Sequence, residues 1–345
     1  MDDDLGSDAI SDEERVKLLN KLCKTCSKTR VIPKSMHIPD CSDDTTEVEY
    51  IGGFGNVSQS TYEGHRVAVK VIHGVYVDNL DTIRSRFCRE VVAWKHFRHP
   101  NILPLLGVTV SGTRLLMVSE WMENGNINEF VERDLSTNRT ALLVDVANGL
   151  KYMHDLYIVH GDLKGANILI NKNRRACIAD FSLTTITAVR AHAAAWSSRA
   201  SLFSNDSLAS FTPGGSNRWI SPELIDPGEF KIPQSEGGRP TRQSDCYALG
   251  MVIYEVLCGH HPYIELESDS VLVDAILNGG RPGRPEESAL LGFSNELWKM
   301  VERCWQGNRD ERPRIEEILA CLNEAAAFWY MRFLARDDGA KSTYQ

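Results

Sequence analysis

The stretch that decides the reading is Ile158-Val159-His160-Gly161-Asp162-Leu163-Lys164-Gly165-Ala166-Asn167-Ile168-Leu169-Ile170. It sets a carboxylate, an ammonium and a carboxamide within the six residues 162–167, and an apolar run of buried-strand character follows. The trio suits transfer of a phosphoryl group to a hydroxyl. Asp162 can orient the hydroxyl and take its proton, Lys164 can neutralise the moving charge, and the Asn167 oxygen can ligate Mg²⁺. Thirteen residues after Asn167, Asp180 follows the apolar Cys177-Ile178-Ala179 and precedes Phe181, giving a second oxygen ligand beside the same site.

Outward from that loop, Val67-Ala68-Val69-Lys70-Val71-Ile72 reads as a strand with its valines on one face, so Ala68, Lys70 and Ile72 share the other. An ammonium on a buried strand needs an anionic partner. Residues 81–97 supply a candidate: Ile83, Phe87, Val91 and Trp94 recur at helical spacing, and Glu90 lies one turn from Phe87 and Trp94, so its carboxylate can point inward. Further upstream, Gly52-Gly53-Phe54-Gly55 forms a turn between strands whose backbone N–H groups can approach a phosphate chain without a Cβ in the way. Alone, that turn reads as a hairpin with spare glycines. The ordered residues downstream give it meaning.

In the same order these motifs resemble the eukaryotic protein-kinase family, in its tyrosine-kinase-like serine/threonine branch, over about 280 of the 345 residues. The resemblance implies an α+β fold of two lobes, a small antiparallel β lobe with one helix and a larger mainly helical lobe, with ATP between them. It makes Asp162 the catalytic base and sets Lys164 on the γ-phosphate. Lys70 holds the α- and β-phosphates and pairs with Glu90, while Asn167 and Asp180 hold Mg²⁺. By the same resemblance Gly52, Gly53, Phe54 and Gly55 cover the phosphates, and Val57, Ala68 and Leu169 sandwich the adenine. Ser119 is the gatekeeper, and the backbone of Glu120 and Met122 reads the adenine edge. Gly214-Gly-Ser-Asn-Arg-Trp-Ile-Ser-Pro-Glu223 resembles the substrate-docking segment, with Glu223 paired to Arg312, and Asp245 braces the catalytic loop from a central helix. Lys164, with Ala166 where tyrosine kinases more often carry Arg, points to serine/threonine hydroxyls of a protein substrate.

Three positions depart from the family pattern. Tyr50 stands where the first loop glycine is expected. Gly161 replaces the Arg that usually pairs with a phosphorylated activation loop. Ser182 replaces the Gly of the metal-binding motif. These departures keep an alternative open, an ATP-binding pseudokinase that works as a scaffold. The loop from Asp180 to Glu223 is 44 residues long, and its seven hydroxyls between 188 and 212 are either autophosphorylation sites or a serine-rich insert. The Gly- and Pro-rich stretch 227–240 reads as a second irregular insertion.

Composition sets the surroundings. The chain is 42% hydrophobic and 25% charged, which permits a real core, and its 25 Gly, 13 Pro and 9 Cys exclude collagen-like, disordered and disulfide-stapled classes. The net charge of −9 argues against a nucleic-acid partner. Seven carboxylates among the first fourteen residues, with no Lys or Arg, read as a solvated acidic tail. The odd number of irregularly spaced cysteines and the lack of a signal or transit pattern predict a reducing, intracellular location, the cytoplasm with the nucleus left open. No apolar run reaches the length of a membrane span. Ser11 and Glu14 form a capping-box pattern ahead of Val16, Leu18, Leu19 and Leu22, so a short amphipathic helix is expected, ending in Cys23-Lys-Thr-Cys26. Cys23, Cys26, His37 and Cys41 make a weak zinc quartet, set in polar surroundings. The expected boundaries are an acidic tail and helix at 1–45, a small lobe at 46–122, a large lobe at 123–324 and a C-terminal tail at 325–345.

Overall fold

The computed structural model describes residues 11–39, 48–52, 55–72, 80–111, 114–181, 184–186, 216–233, 238–286, 288 and 291–342. The expectations for Cys41, Gly53, Phe54, Ser182 and the hydroxyls of 188–212 lie outside these residues, as does the side chain of Tyr50.

Helix α1 (Asp12–Thr29) starts on the expected capping box: Glu14 N–H donates to Ser11 Oγ, and the Glu14 carboxylate accepts from Ser11 N–H. It does not end at the cysteines. It runs to Thr29 and closes on Arg30 in a left-handed conformation, φ 58°. Cys23 and Cys26 are buried with Val16, Leu19 and Leu22, so the thiols extend the apolar face rather than mark a polar turn. Among the described residues no group of three or more His, Cys, Asp or Glu side chains is placed to hold a metal ion.

Strands β1 (Val48–Gly52), β2 (Gly55–Tyr62) and β3 (His65–Ile72) come next, then helix α2 (Leu80–Lys95), then β4 (Leu105–Ser111) and β5 (Arg114–Glu120). The sheet is antiparallel throughout, in the order β1-β2-β3-β5-β4. Glu63 and Gly64, both at positive φ, make the tight β2–β3 turn whose twist matches the strands. The alternation on β3 holds: Val67 and Val69 pack with Leu116 and Val118 in a separate cluster on the outer face. Ala68 and Lys70 pair in register with Ser119 and Met117, and so share the face turned to the other lobe.

The larger lobe holds α3 (Ile127–Arg133), α4 (Arg139–Asp155), the short strands β6 (Ile158–Val159), β7 (Ile168–Ile170), β8 (Ala176–Ile178) and β9 (Thr185–Ile186), and then α5 (Pro222–Ile225), α6 (Arg242–Cys258), α7 (Asp269–Leu277), α8 (Asn295–Cys304) and α9 (Ile315–Ser342). Every residue of α6 from Ser244 to Leu257 is buried, so it has no polar stripe and serves as the axle of the lobe. It is closed by a Thr241–Ser244 capping box and by Gly259 at φ 78°. One apolar core runs from α1 and α2 through α4 and α6 to α9. α9 continues past residue 324, the boundary expected for the tail. No helix among the described residues is long and apolar enough to cross a membrane.

Candidate active site

The loop between β6 and β7 hangs from buried acids on α6. Asp245 accepts from the backbone N–H of His160 and of Gly161, each at 2.9 Å, and its Oδ2 lies 2.9 Å from His154 Nε2. Gly161 sits at φ 82°, a backbone conformation that glycine adopts without a Cβ clash, which suits the glycine found here. His160 bridges the loop to the next strand. Its Nε2 faces the Ala179 carbonyl at 3.0 Å, which makes Nε2 the donor, and Nδ1 accepts from Asp162 N–H at 3.2 Å. The backbone at Asp162 and the residue before Asp180 are therefore tied through one imidazole.

The second acid is Glu255, a carboxylate interrupting the apolar stretch Cys246 to Cys258 and not among the residues that the motifs single out. Its Oε2 accepts from Gly165 N–H and from Trp219 Nε1, each at 2.9 Å, and its Oε1 accepts from Asn128 Nδ2 at 2.6 Å. It thereby joins the β6–β7 loop, α3 and the segment before α5. Burial pushes its carboxyl up, and the three donors together with Lys164 pull the other way. A Cβ on Gly165 would lie 2.5 Å from the Asn128 amide and 2.7 Å from Glu255 Oε1, so any larger residue here must displace these hydrogen-bonded side chains. The signal was a lone carboxylate in an otherwise apolar helix, which must be buried with partners.

Within the loop, Asp162 Oδ2 lies 3.2 Å from Lys164 Nζ and 3.0 Å from Asn167 Nδ2. Asn167 Nδ2 also donates to the Asp162 carbonyl at 2.7 Å. Both contacts use the amide nitrogen, which turns Oδ1 away as an acceptor. Across the cleft, Lys70 Nζ meets Asp180 Oδ1 at 2.6 Å. The expected partner Glu90 acts on the charge of the same ammonium: burial lowers the Lys70 pKa, while Asp180, Glu90 and Asp162 more than offset it, and the net shift is upward. Asp180 itself has φ 60°. Behind it, Phe181 packs on Trp94 (centroids 5.3 Å apart), Phe97 (5.2 Å) and His160 (5.7 Å), a continuous aromatic link from α2 to the catalytic loop.

The remaining sequence-predicted positions surround this centre. Val57 pairs in register with Lys70, and Ala68 with Ser119, on the cleft face of the sheet. Leu169 is half-buried on β7, Met122 is buried and Glu120 exposed at the strand end that joins the lobes. Gly52 and Gly55 close the β1–β2 pair opposite one another. In the large lobe Arg312 grips Glu223 with two bonds of 2.7 Å and lies over the Tyr247 ring at 5.0 Å.

A sequence model of the family described as "Protein tyrosine and serine/threonine kinase" matches residues 50–322. The chain is similar to serine/threonine-protein kinase STY17 of Arabidopsis thaliana, 25% identical over 312 residues, covering 86% of this chain and 49% of that protein. It is likewise similar to STY46 of the same plant, 25% identical over 279 residues (80% and 43%), and to ephrin type-A receptor 5 of Gallus gallus, 29% identical over 286 residues (79% and 25%). The chain thus spans about half or less of the length of these relatives.

Proposed function

Because the chain belongs to the protein tyrosine and serine/threonine kinase family, we propose that it transfers the γ-phosphate of ATP to serine and threonine hydroxyls of protein substrates. The observation that carries this reading is the convergence of five groups on one cleft: Lys70 against Asp180 at 2.6 Å, and Asp162 against Lys164 at 3.2 Å and Asn167 at 3.0 Å. Asp162, held by Asn167 and Lys164, orients the substrate hydroxyl and accepts its proton. Lys164 draws charge from the γ-phosphoryl, and Lys70 holds the α- and β-phosphates under the turn formed by Gly52, Gly53, Phe54 and Gly55. Val57, Ala68 and Leu169 enclose the adenine, whose edge meets the backbone of Glu120 and Met122.

The residues fit Mg²⁺. Asn167 spends its amide nitrogen on Asp162, so that Oδ1 and the Asp180 carboxylate form the hard-oxygen donor set this ion takes beside phosphates. When bound, the ion neutralises phosphate charge. The choice of serine and threonine rests on Lys164 and Ala166 and on the relatives named serine/threonine-protein kinases; the ephrin receptors among the relatives make it a matter for direct test.

Phosphoamino-acid analysis of a mixed protein substrate after incubation with γ-labelled ATP and Mg²⁺ decides it. Phosphoserine and phosphothreonine formed by the wild type and absent with Asp162→Asn are expected. Phosphotyrosine as the main product would overturn the substrate assignment. No transfer by a folded, ATP-binding wild type would overturn the activity and favour a scaffold.

A further inference from the structure

Residues 11–39 lie outside the family match, which begins at residue 50, yet they are built into the small lobe. α1 has specified ends, a complete capping box at Ser11–Glu14 and a left-handed stop at Arg30. Its buried face, Val16, Leu19, Leu22, Cys23 and Cys26, shares one core with Phe87, Cys88, Val91 and Val92 of α2. Two polar contacts set the register between the helices: Ser27 Oγ lies 2.5 Å from Ser85 Oγ, and Cys23 Sγ lies 3.9 Å from the carbonyl of Arg89, the residue next to Glu90.

Beyond α1 the chain crosses to the sheet edge. Met36 is buried, and Ile38 N–H donates to the Val108 carbonyl of β4 at 3.0 Å. A Cβ on Gly107 would lie 2.6 Å from Ile38 Cγ2 and 2.7 Å from the Met36 carbonyl, so β4 carries a glycine where this segment lies flush against it. Both sides of the contact are shaped for each other. α2 is thus clasped between α1 on one side and the Trp94–Phe181–His160 aromatic link on the other.

We propose that residues 11–39 are a positioning segment of the catalytic unit, a brace that holds α2, and with it Glu90, in register with Lys70 and Asp180. This inference rests on the phosphotransfer reading for its kinetic readout. A rigid α2 keeps the Lys70 ammonium and its three acids in one arrangement, so loosening the brace lowers the fraction of molecules competent for chemistry. Protein-substrate binding, which the reading assigns to the large lobe, is untouched.

The test uses the full chain with Leu19→Ala, which removes apolar contact at the centre of α1, assayed where near-ultraviolet circular dichroism shows it folded. Expected are a roughly tenfold lower kcat with an unchanged KM for protein substrate, and amide exchange in residues 84–95 faster by a similar factor. Adding Ser27→Cys/Ser85→Cys, closed to a disulfide with oxidised glutathione that is itself reduced, tethers α1 to α2 and restores both. The brace is overturned if kcat and exchange stay at wild-type levels, or if kcat falls while exchange in 84–95 does not change. Should Leu19→Ala fail to fold, the tether in the wild-type background decides: full kcat in the closed form supports the brace, and a tenfold loss reversed by reductant contradicts it. A wild type without transfer would refute the activity reading, while the exchange measurement still judges the brace.

Discussion

The two walls of the cleft are held by different chemistry. In the large lobe the β6–β7 loop is hung by its backbone from buried carboxylates of α6: Asp245 takes two N–H groups and Glu255 a third. In the small lobe Lys70 and Glu90 ride on β3 and α2; α2 packs its apolar face on α1 and the aromatic stack, and side-chain bonds between Ser85 and Ser27, from Trp94 Nε1 to the Leu103 carbonyl and from Lys95 Nζ to the Leu106 carbonyl add to this packing. Hydrogen bonds to buried carboxylates are directional, and losing one leaves an uncompensated polar group. Apolar packing is non-directional and permits sliding. The comparison teaches that the wall carrying Asp162 is fixed by directional bonds to buried carboxylates, whereas the wall carrying Lys70 rests more on apolar packing and is the one more open to adjustment.

The largest effect is expected where a buried charge pair is broken. Arg312→Ala strands the buried Glu223 carboxylate and should cost about 3–5 kcal/mol, read as a shift in the denaturant midpoint of the large lobe. A shift no larger than that of an exposed pair would mean the polar scaffold is less rigid than described. Next comes Gly165→Ala, which forces a methyl to within 2.5 Å of Asn128 and 2.7 Å of Glu255. Overpacking of this kind costs about 1–3 kcal/mol, and turnover should fall with ATP affinity unchanged, because only the large-lobe wall moves. If ATP affinity fell equally, the walls would not be separable.

The smallest effect is at the surface. Asp134 is held down to about 2, first by the Ser136 hydroxyl and then by Arg174. A carboxyl with a lowered folded value contributes stability above its ordinary value and loses it as the pH falls through the folded one. Asp134→Asn should therefore be slightly less stable than wild type at pH 6, with the gap narrowing below pH 4 and closing as the pH falls through about 2, as followed by thermal melts across that range. Lying at the surface, with Arg174 exposed and Asp134 half-buried, this pair ranks far below the buried anchors.

The distinction between the walls also explains what could be read in advance. Asp162, Lys164, Asn167 and Asp180 are close in sequence, so local spacing was enough to place them together. The pairing of Glu223 with Arg312 came from resemblance to a known pattern. Glu255 escaped because its partners are 36, 90 and 127 residues away and nothing in a local window shows them. Lys70 sits among several acids, Asp180 at 2.6 Å with Glu90 and Asp162 acting through their charge, and that arrangement depends on how α2 sits and not on its periodicity. For α1 the helix was legible from its cap and leucines, but its end was placed too early. Cys23 and Cys26, candidate metal ligands by spacing, are buried on the apolar face of α1, and burial pushes the Cys23 thiol up to about 12.

The most direct test of the account is Mg²⁺-dependent phosphate transfer from ATP to protein by the wild type, Asp162→Asn and Lys70→Met, with ATP affinity measured on the same samples. The account predicts transfer by the wild type, a loss of roughly 10²–10⁴-fold in Asp162→Asn with ATP affinity retained, and a loss in Lys70→Met that includes weaker ATP binding. Equal transfer by wild type and Asp162→Asn would contradict it.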